Sequence, residues 1–132
     1  MKGDWDILVV DDEPVVCDAI VAVLAREGVR AAVAPSAEAA LAHPALATCR
    51  LVVTDLMLPG RSGIGLTRAI RVLHPDLPIV VISGYATRQN SERALEAGAT
   101  AFLAKPFDTS ELLAVVRRAL GAPSVAGKEK ES

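Results

Sequence analysis

Five short apolar runs punctuate the chain: Ile7–Val10, Val29–Ala34, Leu51–Val53, Ile79–Ile82 and Ala101–Ala104. None alternates cleanly between apolar and polar residues, as expected for strands covered on both faces. Between them lie stretches with helical spacing. Val15, Val16, Ala19, Ile20, Val23 and Leu24 follow such separations, and Gly28 supplies a stop. Ser36 reads as the N-cap of a short second helix carrying Glu38, Leu41 and Leu46. A third helix spans Gly63 to Leu73 and ends before His74-Pro75; a fourth spans Arg88 to Ala97, with Gly98 as its cap. The fifth begins at Asp108 or Thr109 and ends at Gly121, with Leu112, Leu113, Val116 and Leu120 as its stripe. Its opening, Asp108-Thr109-Ser110-Glu111, is a capping box. Five strand–helix pairs in alternation imply right-handed crossovers and a parallel sheet, an α/β fold.

Length and composition narrow this further. The 132 residues suit one domain, and such a chain buries enough surface to fold without a disulfide or metal staple. Residues 1–121 form that domain; residues 122–132 are small, polar and balanced in charge, and read as a flexible tail or truncated linker. With 52% hydrophobic residues the chain is not largely disordered, and a net charge of −2 argues against direct nucleic-acid binding through a basic surface. No apolar run approaches a membrane span, and two cysteines, Cys17 and Cys49, suit a reducing cytosol; the expected location is cytoplasmic. Aromatic residues are only 3%, so Val, Leu, Ile and Ala must fill the core.

Ligands of an open parallel sheet bind beyond the carboxyl ends of its strands. After the first strand come Asp11, Asp12 and Glu13; after the third, Asp55; after the fourth, Ser83; after the fifth, Lys105. Crowded carboxylates repel unless a cation joins them, and an oxygen-rich site suits Mg²⁺. Thiolate and imidazole are absent from these loops, which disfavours zinc and copper. A carboxylate can also act as a nucleophile toward phosphorus. Taken singly, an Asp at a strand end is usually a cap, a Lys before Pro a solvated residue, and a Ser before Gly a turn. Their joint placement at four sheet ends is what points to chemistry.

Four stretches, ILVVDDEP (Ile7–Pro14), LVVTDLMLPG (Leu51–Gly60), PIVVISGYA (Pro78–Ala86) and GATAFLAKPF (Gly98–Phe107), resemble the receiver domain of bacterial two-component response regulators. The resemblance covers about residues 6–121. It implies a flavodoxin-like, doubly wound (βα)5 fold with strand order 2-1-3-4-5. It further implies that Asp55 is the phosphoacceptor and that Asp12 and Asp55 bind Mg²⁺ directly. The Met57 backbone carbonyl would be a third ligand, with Asp11 acting through water. Lys105 would contact the phosphoryl group and Asp55, Ser83 and Gly84 would face the phosphate, and Phe102 would be the aromatic partner of Ser83 in a switch. The Lys105-Pro106 bond would be cis. The implied phosphodonor is a histidine kinase or phosphotransfer protein. Receivers often pair through the face of the fourth helix, fifth strand and fifth helix, where Arg88, Glu92, Arg93 and Glu96 could supply complementary charge.

The chain departs from the commonest receiver pattern at Arg61-Ser62-Gly63, where many members have Met-Asp-Gly, at Ser83 for Thr and at Phe102 for Tyr. Met57 and Tyr85 occupy positions that govern access of water to the phosphoryl group in the family. The resemblance implies self-modification and self-dephosphorylation at Asp55 rather than an enzyme acting on other substrates. Two other classes compete. An aspartyl phosphohydrolase would carry a second acid two residues after its nucleophile, where this chain has Met57 after Asp55 and Glu13 after Asp11. A flavin-binding module would want a hydroxyl-rich loop after the first strand, where this chain has Asp-Asp-Glu. Cys17 and Cys49 read as inert buried thiols, His43 and His74 as surface or capping residues, and Arg117 and Arg118 as partners of the last helix dipole. With no output segment after residue 121, the expectation is a stand-alone receiver, a relay intermediate or a piece of a larger regulator.

Overall fold

The apolar runs fail to alternate because each strand feeds two cores. In the computed structural model, which describes residues 5–121, five strands form one parallel sheet in the order β2-β1-β3-β4-β5. The strands are β1 (Ile7–Val10), β2 (Ala31–Ala34), β3 (Leu51–Asp55), β4 (Ile79–Ser83) and β5 (Ala101–Ala104). The helices are α1 (Pro14–Arg26), α2 (Ala37–Ala42), α3 (Gly63–Leu73), α4 (Arg88–Glu96) and α5 (Thr109–Gly121). Leu8 and Val10, with Val52, Ile79 and Val81, face the core under α2, α3 and α4. Ile7 and Val9, with Leu51, Val53, Val80 and Ile82, face the core under α1 and α5. Every residue of β1, β3 and β4 is buried, whereas edge strands β2 and β5 keep partly exposed positions. Each fully buried Val, Leu or Ile contributes about 1.5–3 kcal/mol, and this two-sided burial holds the central strands.

Several boundaries differ from the sequence expectation. β2 begins at Ala31 rather than Val29, because Val29 closes the end of α1. Its N–H donates to the Leu24 carbonyl (3.0 Å) while Gly28, at φ +75°, donates to Ala25 (3.0 Å). β3 and β4 run on through Asp55 and Ser83, since a strand ladder pairs backbone groups whatever the side chains are. α2 stops at Ala42 and Leu46 falls in a separate 3-10 helix, Pro44–Ala47. The residue before a proline disfavours helical backbone, and His43 is extended there, its Nδ1 accepting from the Ala45 N–H at 3.0 Å. The buried stripe of α1 is Cys17, Ile20 and Leu24, while Val15 is 80% exposed. The capping box of α5 forms in both directions, Glu111 N–H to Asp108 at 2.8 Å and Asp108 N–H to Glu111 at 2.9 Å. Arg117 reaches across to Glu27, the residue that caps the end of α1, at 2.9 Å.

No helix of the described residues is long and apolar enough to cross a membrane. The segment 122–132 lies outside the described residues.

Candidate phosphoryl-transfer site

At the carboxyl edge of the sheet, β1, β3 and β5 deliver an acid, an acid and an ammonium to one point. One carboxylate oxygen from each of Asp11, Asp12 and Asp55 lies within 4.8 Å of the others. Asp11 (2% exposed) and Asp55 (6%) are buried, and Asp12 is exposed. Lys105 Nζ stands 3.3 Å from Asp11 Oδ2 and 3.4 Å from Asp55 Oδ2. Glu13 approaches the same ammonium at 3.8 Å from the solvent side. Three carboxylates against one ammonium leave two negative charges uncompensated among the innermost groups. That surplus and the all-oxygen donor set fit a hard divalent cation.

The electrostatics agree with this crowding. Burial, and then the Asp11 charge, push the Asp55 carboxyl up, with Lys105 opposing them. Burial pulls the Lys105 ammonium down, but Asp55 and Asp11 outweigh it and leave its pKa above the ordinary lysine value. Local backbone bonds aim the acids. Asp11 Oδ1 accepts from the Glu13 N–H at 2.9 Å, and Asp55 Oδ1 faces the Met57 N–H at 3.5 Å.

An open basin of about 380 Å³ lies over these groups, lined by Asp12, Glu13, Asp55, Met57, Gly84, Tyr85 and Lys105. Ser83 is buried at the end of β4, its hydroxyl oxygen accepting from the Tyr85 N–H at 2.9 Å. Phe102 sits on β5, paired with Val81, half-buried against the core under α2, α3 and α4. The Lys105-Pro106 bond is cis. Cys17 is buried beside the site, Sγ 3.4 Å from the Asp11 carbonyl; burial and the Asp11 charge push its thiol up to about 11. Burial also pushes the Cys49 thiol up, so both cysteines are the inert groups expected.

Two residues have structural roles that the sequence reading did not assign. Gly63 opens α3 where the helix abuts the end of β3. A Cβ there would overlap the Asp55 carbonyl oxygen and stand 3.0 Å from the Leu56 Cα. Its signal is a glycine inside a helix start, where most residues serve better. Arg71 caps carbonyls at the opposite edge of the sheet and carries no local signal at all.

A parallel sheet in the order β2-β1-β3-β4-β5, with its polar groups gathered at the carboxyl edge, is the flavodoxin-like, doubly wound architecture. The chain belongs to the response regulator receiver domain family, which it matches over residues 7–117. It is thus a receiver domain, the phosphoacceptor module of two-component signalling. Among curated relatives, the nitrogen assimilation regulatory protein NtrX of Azorhizobium caulinodans is 37% identical over 117 residues, covering 87% of this chain and 26% of that protein. The transcriptional regulatory protein ZraR of Salmonella typhimurium is 33% identical over 132 residues, covering all of this chain and 30% of that one. The chain thus spans between a quarter and a third of those relatives. Among solved structures, the receiver domain of NtrX from Brucella abortus superposes with a TM-score of 0.82 at 39% identity, covering 87% of this chain and 98% of that one. A CheY-like receiver from Methanospirillum hungatei gives a TM-score of 0.85 at 29% identity, covering 95% of this chain and all of that one.

Proposed function

We propose that Asp55 is the residue this receiver phosphorylates, taking the phosphoryl group from a histidine kinase or phosphotransfer protein. The observation that supports this reading is the Lys105–Asp55–Asp11 contact beneath an open basin, with two negative charges uncompensated. An Asp55 oxygen attacks phosphorus, the bond from phosphorus to the donor histidine nitrogen breaks, and its electron pair stays on that nitrogen. An aspartyl phosphate results. Hydrolysis reverses the modification, as water attacks phosphorus and releases inorganic phosphate with the Asp55 carboxylate restored.

Asp12 and Asp55, with the Met57 carbonyl and with Asp11 through water, are the groups that would hold Mg²⁺. A divalent cation bound there supplies neutralisation of the phosphoryl oxygens during transfer. Lys105 already lies against Asp55 and turns its ammonium onto a phosphoryl oxygen. The Ser83 hydroxyl accepts from Tyr85 and keeps its proton free to donate to the phosphate, beside the Gly84 backbone. Met57 and Tyr85, both exposed at the basin rim, govern the approach of water and hence the lifetime of the modification. Drawing Ser83 inward lets Phe102 repack and alters the surface of α4, β5 and α5, which is where a second receiver would pair. The domain modifies itself and turns over no other phosphoester. Met57, at the position where a phosphohydrolase carries its second acid, cannot donate a proton.

The test is incorporation from a small acyl phosphate with Mg²⁺, followed by intact mass. Wild type gains one phosphoryl group and Asp55→Ala gains none. Full incorporation into Asp55→Ala overturns the assignment.

A further inference from the structure

Helix α4 is held very unequally along its length. Only Ala94 of its nine residues is buried. At its C-terminal end, Gly98 (φ +113°) donates to Leu95 and Ala99 donates to Ala94, each at 3.0 Å, closing the helix tightly. Against that closure lies Arg71 of α3. Its Nη2 donates to the Gly98 carbonyl at 2.6 Å, while Nη1 serves the carbonyls of His74 (3.1 Å), Pro75 (2.9 Å) and Leu77 (2.7 Å). A Cβ on Gly98 would stand 3.0 Å from Arg71 Nε, so the glycine's bareness lets the guanidinium lie flat on the turn. One planar fork thus joins the end of α4 to the α3–β4 connection, which a point-charge ammonium cannot reproduce.

The N-terminal half has no such anchor. Arg88, Gln89, Glu92 and Arg93 are exposed. Beyond the helical Ser91 N–H to Thr87 carbonyl bond and an exposed Arg88–Glu92 pair at 3.7 Å, this half is tied by two exposed bonds, Asn90 N–H to the Thr87 hydroxyl (3.0 Å) and Asn90 Nδ2 to the Tyr85 carbonyl (2.8 Å). Beside it opens a cleft of about 410 Å³ lined by Leu56, Met57, Ile64 and Tyr85 together with Asn90 and Arg93 of the helix. Tyr85 also donates to Ser83, so a continuous chain, Ser83–Tyr85–Asn90, runs from the carboxyl edge of the sheet into the first turn of α4.

We propose that Arg71 is the fixed pivot of α4: it locks the C-terminal end, so that this helix's own response to phosphoryl transfer is confined to its N-terminal half, which swings over the cleft. The device rests on the reading of Asp55 as phosphoacceptor. Arg71 touches no reacting group and acts as a positioning residue for the switch.

Amide hydrogen exchange of the full chain, with and without acyl phosphate and Mg²⁺, tests it, with intact mass on the same samples. In wild type, phosphodonor changes exchange in residues 84–92 and leaves Gly98 and Ala99 unchanged. In Arg71→Gln, exchange at Gly98 and Ala99 rises at least about tenfold without phosphodonor (about 1.4 kcal/mol). The phosphodonor-dependent change then spreads to those residues, while Asp55 still gains its phosphoryl group. Equal changes at both ends of wild-type α4, or unaltered Gly98 and Ala99 exchange in the variant, overturn the pivot. Arg71→Lys, which keeps the charge without the fork, replaces Arg71→Gln if the latter does not fold. Absence of the mass gain in wild type refutes the Asp55 reading instead, and the exchange comparison without phosphodonor still decides the role of Arg71.

Discussion

Replacing Lys105 with methionine keeps the aliphatic stem and deletes the ammonium that stands between two buried acids. At 3.3 and 3.4 Å from Asp11 and Asp55, and at an effective dielectric constant of about 20, each attraction is worth about 5 kcal/mol before desolvation is charged against it. Removing one partner of a buried pair costs about 3–5 kcal/mol. The Lys105 side chain is 20% exposed, which places the loss at the lower end, about 3 kcal/mol near neutral pH. For a urea slope of about 1–3 kcal/mol per molar, the midpoint falls by about 1–3 M. The loss depends on pH. Without Lys105, the two largest influences on Asp55, burial and then Asp11, both push its carboxyl up. A carboxyl raised in the folded state contributes stability that is fully present below its unfolded pKa and lost as pH rises through the folded value. The deficit against wild type is therefore greatest near neutrality and shrinks as pH falls through the mildly acidic range. Mg²⁺ stabilises the variant more than wild type, because it restores positive charge between the same oxygens. Urea melts near pH 7 and near pH 5, each with chelator or with Mg²⁺, read out all of this. A variant as stable as wild type near neutrality, or a deficit indifferent to both pH and Mg²⁺, refutes the reasoning.

Gly63→Ala places a methyl group against the Asp55 and Leu56 backbone and breaks the 2.8 Å bond from Gly63 N–H to the Leu56 carbonyl. Urea melts should show a loss of about 2–4 kcal/mol, with slower phosphoryl incorporation because the Asp55 backbone moves. Native thiol titration should find both cysteines slow to react, Cys17 by about two orders of magnitude relative to the unfolded chain, given its burial and a pKa pushed up to about 11. Rapid labelling of either thiol without denaturant contradicts that account.

The secondary structure was legible wherever its cause is local. The Asp108–Glu111 capping box and the stops at Gly28 and Gly98 appear where their residues announce them. Misreadings arose where a distant partner decided. Asp55 and Ser83 read as lying just after their strands, yet neighbouring strands carry the ladder through both. Val15 matches the helical period of α1 but lies 80% exposed, because the sheet covers only the stripe of Cys17, Ile20 and Leu24. Arg71 was invisible because its partners are main-chain carbonyls, one of them 27 positions away, and no side-chain pattern marks them.

By itself, the order of residues determined that this chain makes alternating strands and helices, which residues can cap them, and which acids and ammonium lie at strand ends. Periodicity, turn backbone and capping are physics of neighbouring residues. The tertiary structure decided which of those ends meet. Asp11 and Lys105 are 94 positions apart, and only a parallel sheet with β1 beside β3, and β3 and β5 flanking β4, brings their side chains to 3.3 Å, with Asp55 3.4 Å from the same ammonium. The upward pKa shifts of Asp55 and Lys105 were decided there as well, since burial and mutual proximity act through space.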